Sequence, residues 1–162
     1  MSQQNPVKVF VAHAWQESDD YLRVFEYLES HRNFFYRNCS RPDARPPGGV
    51  AAEQDAIRTQ IAEAEIVIAP TSTYRQDADL LLFELQQARD QGKPVLLLKP
   101  FGVQTVVPRP VMELASRTVE WNDRVLVDAI RELARNEGRA QTDTIEFSPD
   151  AFQEFKGFKV ER

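Results

Sequence analysis

The chain has one cysteine, Cys39, and two histidines in 162 residues. A lone cysteine cannot close an internal disulfide, which fits a reducing compartment. So few cysteines and histidines, so widely spaced, do not make a structural zinc site. No apolar run approaches the roughly 20 residues needed to cross a bilayer. The stretch Met1-Ser2-Gln3-Gln4-Asn5 is polar and lacks the basic and apolar regions of a signal peptide. An excess of basic charge is missing too: the formal charge is −5, which argues against general nucleic-acid binding, since neutralising phosphates needs a basic face. There are no internal repeats and no low-complexity segment. These absences leave one soluble, cytoplasmic domain large enough to bury a sizeable core.

Within that domain, strand and helix alternate. Val7 to Ala12 is short and rich in β-branched and aromatic residues, so it reads as the first strand. Ser18 is placed as an N-cap, with Asp19 and Asp20 favourable against the helix dipole. Tyr21, Phe25 and Leu28 then follow at helical spacing. Phe34 to Tyr36 reads as a second strand. From Arg37 to Gly49 come three Pro, two Gly and three Arg, the composition of a long irregular loop. A helix is expected over Ala51 to Ala64, and Ile66 to Ala69 is a continuous apolar run suited to a strand covered on both faces. Pro70 to Asp77 reads as a polar loop and Asp79 to Gln91 as a helix, with Gly92 as its C′ residue. Pro94 to Leu98 is a buried strand and Thr118 to Glu120 a weaker one. Asn122 caps a helix that turns Leu126, Ile130 and Leu133 inward. The domain is expected over 1–138, followed by an aromatic tail, 139–162, that packs on it or extends it.

Such alternation implies an α/β fold, a parallel sheet with helices on both faces. In the common strand order 2-1-3-4-5, ligands bind beyond the carboxyl ends of the strands, in the crevice where the order reverses. The segments His13 to Ser18 and Pro70 to Asp77 would form its walls, with Arg37 to Gly49 above.

One residue breaks the pattern of the helix over Asp79 to Gln91. At 100° per residue, Leu80, Leu81, Leu85 and Ala88 form an apolar arc, and Glu84 falls inside it. A carboxylate on an inward face costs free energy unless it is paired, hydrogen-bonded or solvated. It either lines a ligand cleft or is bonded to a backbone amide or to an arginine such as Arg75.

Five segments, in order, resemble the prokaryotic TIR-like family, which includes the TIR-like sensor proteins of the Thoeris antiphage defence system. They are Lys8 to Trp15 with Ser18 to Tyr21; Asn33 to Ser40; Ile57 to Ala69; Glu84 and Ala88 with Gly92-Lys93-Pro94-Val95; and Trp121-Asn122. The likeness covers about Val7 to Leu133. It implies a three-layer flavodoxin-like TIR fold with a five-stranded parallel sheet. It also implies an NAD⁺-consuming activity in which an acidic residue on the third helix, here Glu84, supports cleavage of the nicotinamide–ribose bond. NAD⁺ is then substrate, with no separate cofactor and no metal. The product the resemblance implies is an ADP-ribose signal, cyclic in the family pattern, read by a separate effector protein, with the chain assembling with copies of itself on activation. Two positions depart from the pattern: Ala14 stands where a hydroxyl is usual, and Leu80 where an aromatic is.

Such chemistry needs a carboxylate that stabilises an oxocarbenium-like centre at the ribose C1′. Glu84 is the catalytic candidate. There is no GxGxxG fingerprint, so the pyrophosphate would be met by backbone amides around His13 and Ala14, or by Arg37, Arg41 or Arg45. Trp15 and Tyr74 are candidates to stack on a base, and Ser72 to bond a ribose. His13 stands where the first strand ends. Two rival readings use the same residues. One is a nucleoside deoxyribosyltransferase-like enzyme, which Asp79 to Val95 also resembles. The other is a non-catalytic interaction module in which Glu84 is structural. The residues argue against a receiver domain, since His13-Ala14 and Pro70-Thr71 stand where its acidic residues would be.

Overall fold

The structure, a computed structural model, describes residues 2–102 and 106–136 and the backbone of two short strands near the C-terminus. Its elements run β1 (Val7–Val11), α1 (Asp19–Glu29), β2 (Tyr36–Asn38), α2 (Val50–Glu63), β3 (Ile66–Pro70), α3 (Thr73–Gln76), α4 (Ala78–Asp90), β4 (Val95–Leu98), α5 (Arg109–Leu114), β5 (Arg117–Val119) and α6 (Asp123–Arg135). A two-stranded pair, β6 (Glu154–Phe155) and β7 (Gly157–Phe158), follows. The chain divides into two compact units, Met1–Ala129 and Ile130–Arg162. That division falls inside α6, whereas the boundary expected at 138 and most of the aromatic tail lie outside the described residues.

The first unit is built on five parallel strands in the order β2-β1-β3-β4-β5. This is the α/β, flavodoxin-like arrangement expected from the alternation of elements. Every residue of β3 and of β4 is buried, as their unbroken apolar runs require of strands covered on both faces. Phe10, Val67, Val95 and Leu97 share one face, packed with Ile57 and Ile61 of α2 and Leu81, Leu85 and Ala88 of α4. The opposite face takes α1, which is tied to the start of α6 by Ser30 Oγ on Asp123 Oδ2 and by the edge-on rings of Tyr27 and Trp121.

Local chemistry sets the element ends. Ser18 Oγ accepts from the Tyr21 amide at 3.2 Å, and Asn122 Oδ1 from the Val125 amide at 3.0 Å. Asp77 Oδ1 does the same for Leu80 at the start of α4. At the end of α4, Gly92 takes φ +74°. The Lys93 amide then reaches back to the Ala88 carbonyl and the Gly92 amide to that of Arg89, a Schellman closure. Lys93 Nζ also donates to the Ala62 and Ala64 carbonyls, so one residue closes two helix C-termini.

Some elements differ from expectation. The second strand is Tyr36–Asn38, not Phe34 to Tyr36, because Tyr36, Arg37 and Asn38 pair with Val7, Lys8 and Val9. This is an edge strand, and Arg37 and Asn38 are exposed, so its residues carry no apolar signature. The loop after β3 contains the single turn α3, and α5 was not anticipated.

Leu97 is fully buried on the inner strand β4. Leu97→Ala should therefore lower unfolding free energy by about 3 kcal/mol, within the 2–5 kcal/mol typical of buried Leu truncation, as read from urea denaturation.

Candidate functional site

Glu84 lies on the inward face of α4 with Leu81, Leu85 and Ala88, and its exposure is 0%. Its Oε1 accepts from the His13 backbone amide at 3.2 Å. Its Oε2 is buried with no hydrogen-bond partner. Among the described residues no arginine or lysine pairs with it, Arg75 included. A carboxylate in this position is poorly solvated, so burial pushes the Glu84 carboxyl well above its ordinary value. The His13 amide offsets part of that effect, and the charge of Asp77 adds to it.

His13 follows directly on β1 and is itself buried. Its Nδ1 accepts from the Trp15 amide at 3.1 Å, so the ring proton resides on Nε2, which donates to Gln60 Oε1 at 3.2 Å. Burial lowers the His13 pKa from 6.5 to about 4, opposed in part by the Gln60 bond. Gln60 Oε1 also accepts from the Arg41 amide at 2.9 Å. A single buried amide on α2 thus ties the loop after β2 to the turn after β1. Trp15 sits at φ 60°, a left-handed conformation unusual for a bulky residue and a local store of strain. Its ring meets that of His13 edge-on at 4.9 Å, and its Nε1 is buried without a partner.

The structure therefore gathers His13, Trp15, Glu84 and the backbone of Arg41 into one network, with Gln60 at its centre. Ala14 is half-buried between His13 and Trp15. The Arg37 and Arg41 side chains are exposed: Arg37 offsets part of the upward push of burial on the Cys39 thiol, and Arg41 stands 3.8 Å from Glu63. Arg45 pairs with Glu53 at 2.9 Å.

Ser72 and Tyr74 lie elsewhere, in a cleft of about 330 Å³ beyond the carboxyl ends of the strands. One wall is the start of α1, with Asp19, Asp20 and Arg23. A second is the segment after β3, with Thr71, Ser72, Tyr74 and Arg75. The third follows β4, with Pro100, Phe101, Val106 and Pro108. The cleft shares the segment after β3 with the crevice expected from topology, but its other walls are the start of α1 and the segment after β4, not His13 to Ser18 or Arg37 to Gly49. Ser72 Oγ donates to Asp20 Oδ2 at 2.6 Å, and Arg23 pairs with the other oxygen of Asp20. Asp20, Arg23, Thr71 and Phe101 were not singled out in the sequence. The acidic pair after Ser18 signalled only a helix start.

No protein-family model and no curated protein matches the chain. Among the described residues no group of three or more His, Cys, Asp or Glu is placed to hold a metal ion, and no helix is long and apolar enough to cross a membrane.

The two buried groups act oppositely on stability. Folded His13 binds fewer protons than unfolded His13 between pH 4 and 6.5, so its contribution is present above 6.5 and lost as pH falls toward 4. Folded Glu84 keeps a proton that the unfolded chain releases above about 4.5, so its contribution declines as pH rises. Glu84→Gln removes the second effect alone. Relative to wild type, the variant should gain stability as pH rises above 5 in urea titrations. A pH-independent difference would mean that Glu84 is ionised in the folded protein.

Proposed function

We propose that the chain is a TIR-like enzyme that consumes NAD⁺ in antiphage signalling, cleaving the nicotinamide–ribose bond to give an ADP-ribose product, cyclic or linear. One observation carries this reading: Glu84 is a fully buried carboxyl with a partnerless oxygen and no countercharge, beside the end of β1. Buried acids of this kind concentrate at functional sites. The ordered sequence segments that resemble the TIR-like family put the family's acidic residue at this position.

In the reaction, nicotinamide departs as a neutral molecule with the electron pair of the C1′–N bond. The ionised Glu84 carboxylate stabilises the oxocarbenium-like centre left on C1′. Water then adds to C1′ and releases a proton, or a nucleophile within the same molecule closes a ring; exclusion of water selects between them. Because Glu84 is covered in the resting chain, turnover requires the His13–Trp15 turn to lift from α4. The strained conformation of Trp15 makes that turn a hinge suited to the task. Opening also admits water and so restores the charge of Glu84. Assembly of copies of the chain is the event that would hold the open form, and the product would pass to a separate effector protein.

The bond from the His13 amide to Glu84 supports a second reading, a non-catalytic interaction module in which the carboxyl is a strut between β1 and α4. Incubating concentrated protein with NAD⁺ and following nicotinamide by mass spectrometry separates the two. Wild type should release nicotinamide at a rate that rises steeply with protein concentration. Glu84→Gln should lose about 100-fold or more, the scale of removing one preorganised electrostatic group. Inert wild type, even with an activating lysate, would leave the strut.

A further inference from the structure

The cleft over the ends of β3 and β4 contains a polar group without a role in the fold. Thr71 lines it, is only 4% exposed, and its Oγ1 has no hydrogen-bond partner. A buried hydroxyl left unbonded costs about 1–3 kcal/mol, a cost that a ligand in the cleft would remove. The groups around it are sorted by chemistry. Phe101, 43% exposed, holds its ring under the Arg23 guanidinium at 3.9 Å, and Tyr74 lines the same space. Asp20 already receives Ser72 and Arg23, but a carboxylate offers about four acceptor positions, so it has capacity for further donors. Arg75 is exposed and has no ion-pair partner among the described residues.

We propose that this cleft binds a nucleoside 5′-monophosphate, its base against Phe101 and Tyr74, its ribose hydroxyls at Asp20 and Thr71, and its phosphate at Arg75. The lining carries both signs: Asp19 and Asp20 at the start of α1 accept from hydroxyls, while Arg75, without an ion-pair partner among the described residues, attracts an anion. Partners for a flat ring, a diol and an anion are partners for the three parts of a mononucleotide. Its volume, about 330 Å³, lies at the small end of ligand pockets, roughly 300–1,000 Å³, which suits one nucleotide and not a whole dinucleotide. The site does not rest on the role of Glu84, which is not among the residues lining the cleft.

Calorimetric titration of the full chain with AMP, adenosine and inorganic phosphate tests this. AMP should bind, adenosine about tenfold more weakly, and phosphate alone undetectably. Thr71→Val replaces an unbonded hydroxyl by a methyl, so thermal unfolding should be unchanged or raised, while AMP affinity falls about fivefold, the worth of one hydrogen bond. Phe101→Ala should weaken AMP and adenosine alike, and Arg75→Gln AMP only. Glu84→Gln should leave AMP affinity within about twofold, so a failure of NAD⁺ cleavage and a failure of this site are told apart. ADP-ribose binding that is sensitive to the same substitutions would identify the ligand as the AMP half of a dinucleotide; AMP binding without it, as a free mononucleotide. Absence of AMP binding to wild type overturns the proposal, as would affinity untouched by both Thr71→Val and Phe101→Ala.

Discussion

The arrangement around the candidate site depends on one hydrogen bond, from the His13 amide to Glu84 Oε1. It joins the end of β1 to the middle of α4, and it is the bond that makes a carboxyl tolerable among Leu81, Leu85 and Ala88. Without it, both oxygens of a fully buried acid would be unsolvated, at a cost of several kcal/mol. The rest of the network follows. With its backbone fixed by Glu84, His13 turns its ring so that one nitrogen accepts from Trp15 and the other donates to Gln60. Gln60 then holds the loop after β2 through Arg41. A neutral imidazole is built into this design, since a second ring proton would face the Trp15 amide.

Two features thus lie at the carboxyl side of the sheet, and they differ in kind. Around Glu84 the structure is closed, dry and strained at Trp15. The cleft lined by Thr71, Asp20 and Phe101 is open and already polar. A switch-point crevice explains the pairing: the connection after β1 leads to α1 on one face, the connection after β3 leads to α4 on the other, and the sheet parts between them. Glu84 belongs to the α4 side of that parting and the cleft to the α1 side.

Much of this was legible in the residues. β3 and β4 announced themselves as unbroken apolar runs because both their faces are covered. Ser18, Gly92 and Asn122 marked helix ends by local chemistry, which needs no tertiary contact. Glu84 stood out because a helix repeats every 3.6 residues and a charge inside an apolar arc is visible in that period. What stayed hidden has a common cause. Gln60 looks like any polar residue on α2 until the fold brings His13 and Arg41 to it. Thr71, Asp20 and Phe101 come from three separate segments, and only the strand order brings them together. β2 was misplaced because an exposed edge strand draws its register from Val7, Lys8 and Val9 and not from its own apolar content.

The place of β1 in the sheet also governs the timing of assembly. It comes first in sequence yet lies inside the sheet, with β2 on one side and β3 on the other. Lys8 and Glu65, which bond each other across β1 and the start of β3, are 57 residues apart. At a synthesis rate of roughly 5–20 residues per second, β1 waits several seconds with its inner edge unpaired. Throughout that interval Val9, Phe10 and Val11 lack their partners Ile66, Val67 and Ile68, and that edge is open to pairing with other chains. The residues that later define the most secure part of the protein are therefore its chief aggregation hazard while it is being made.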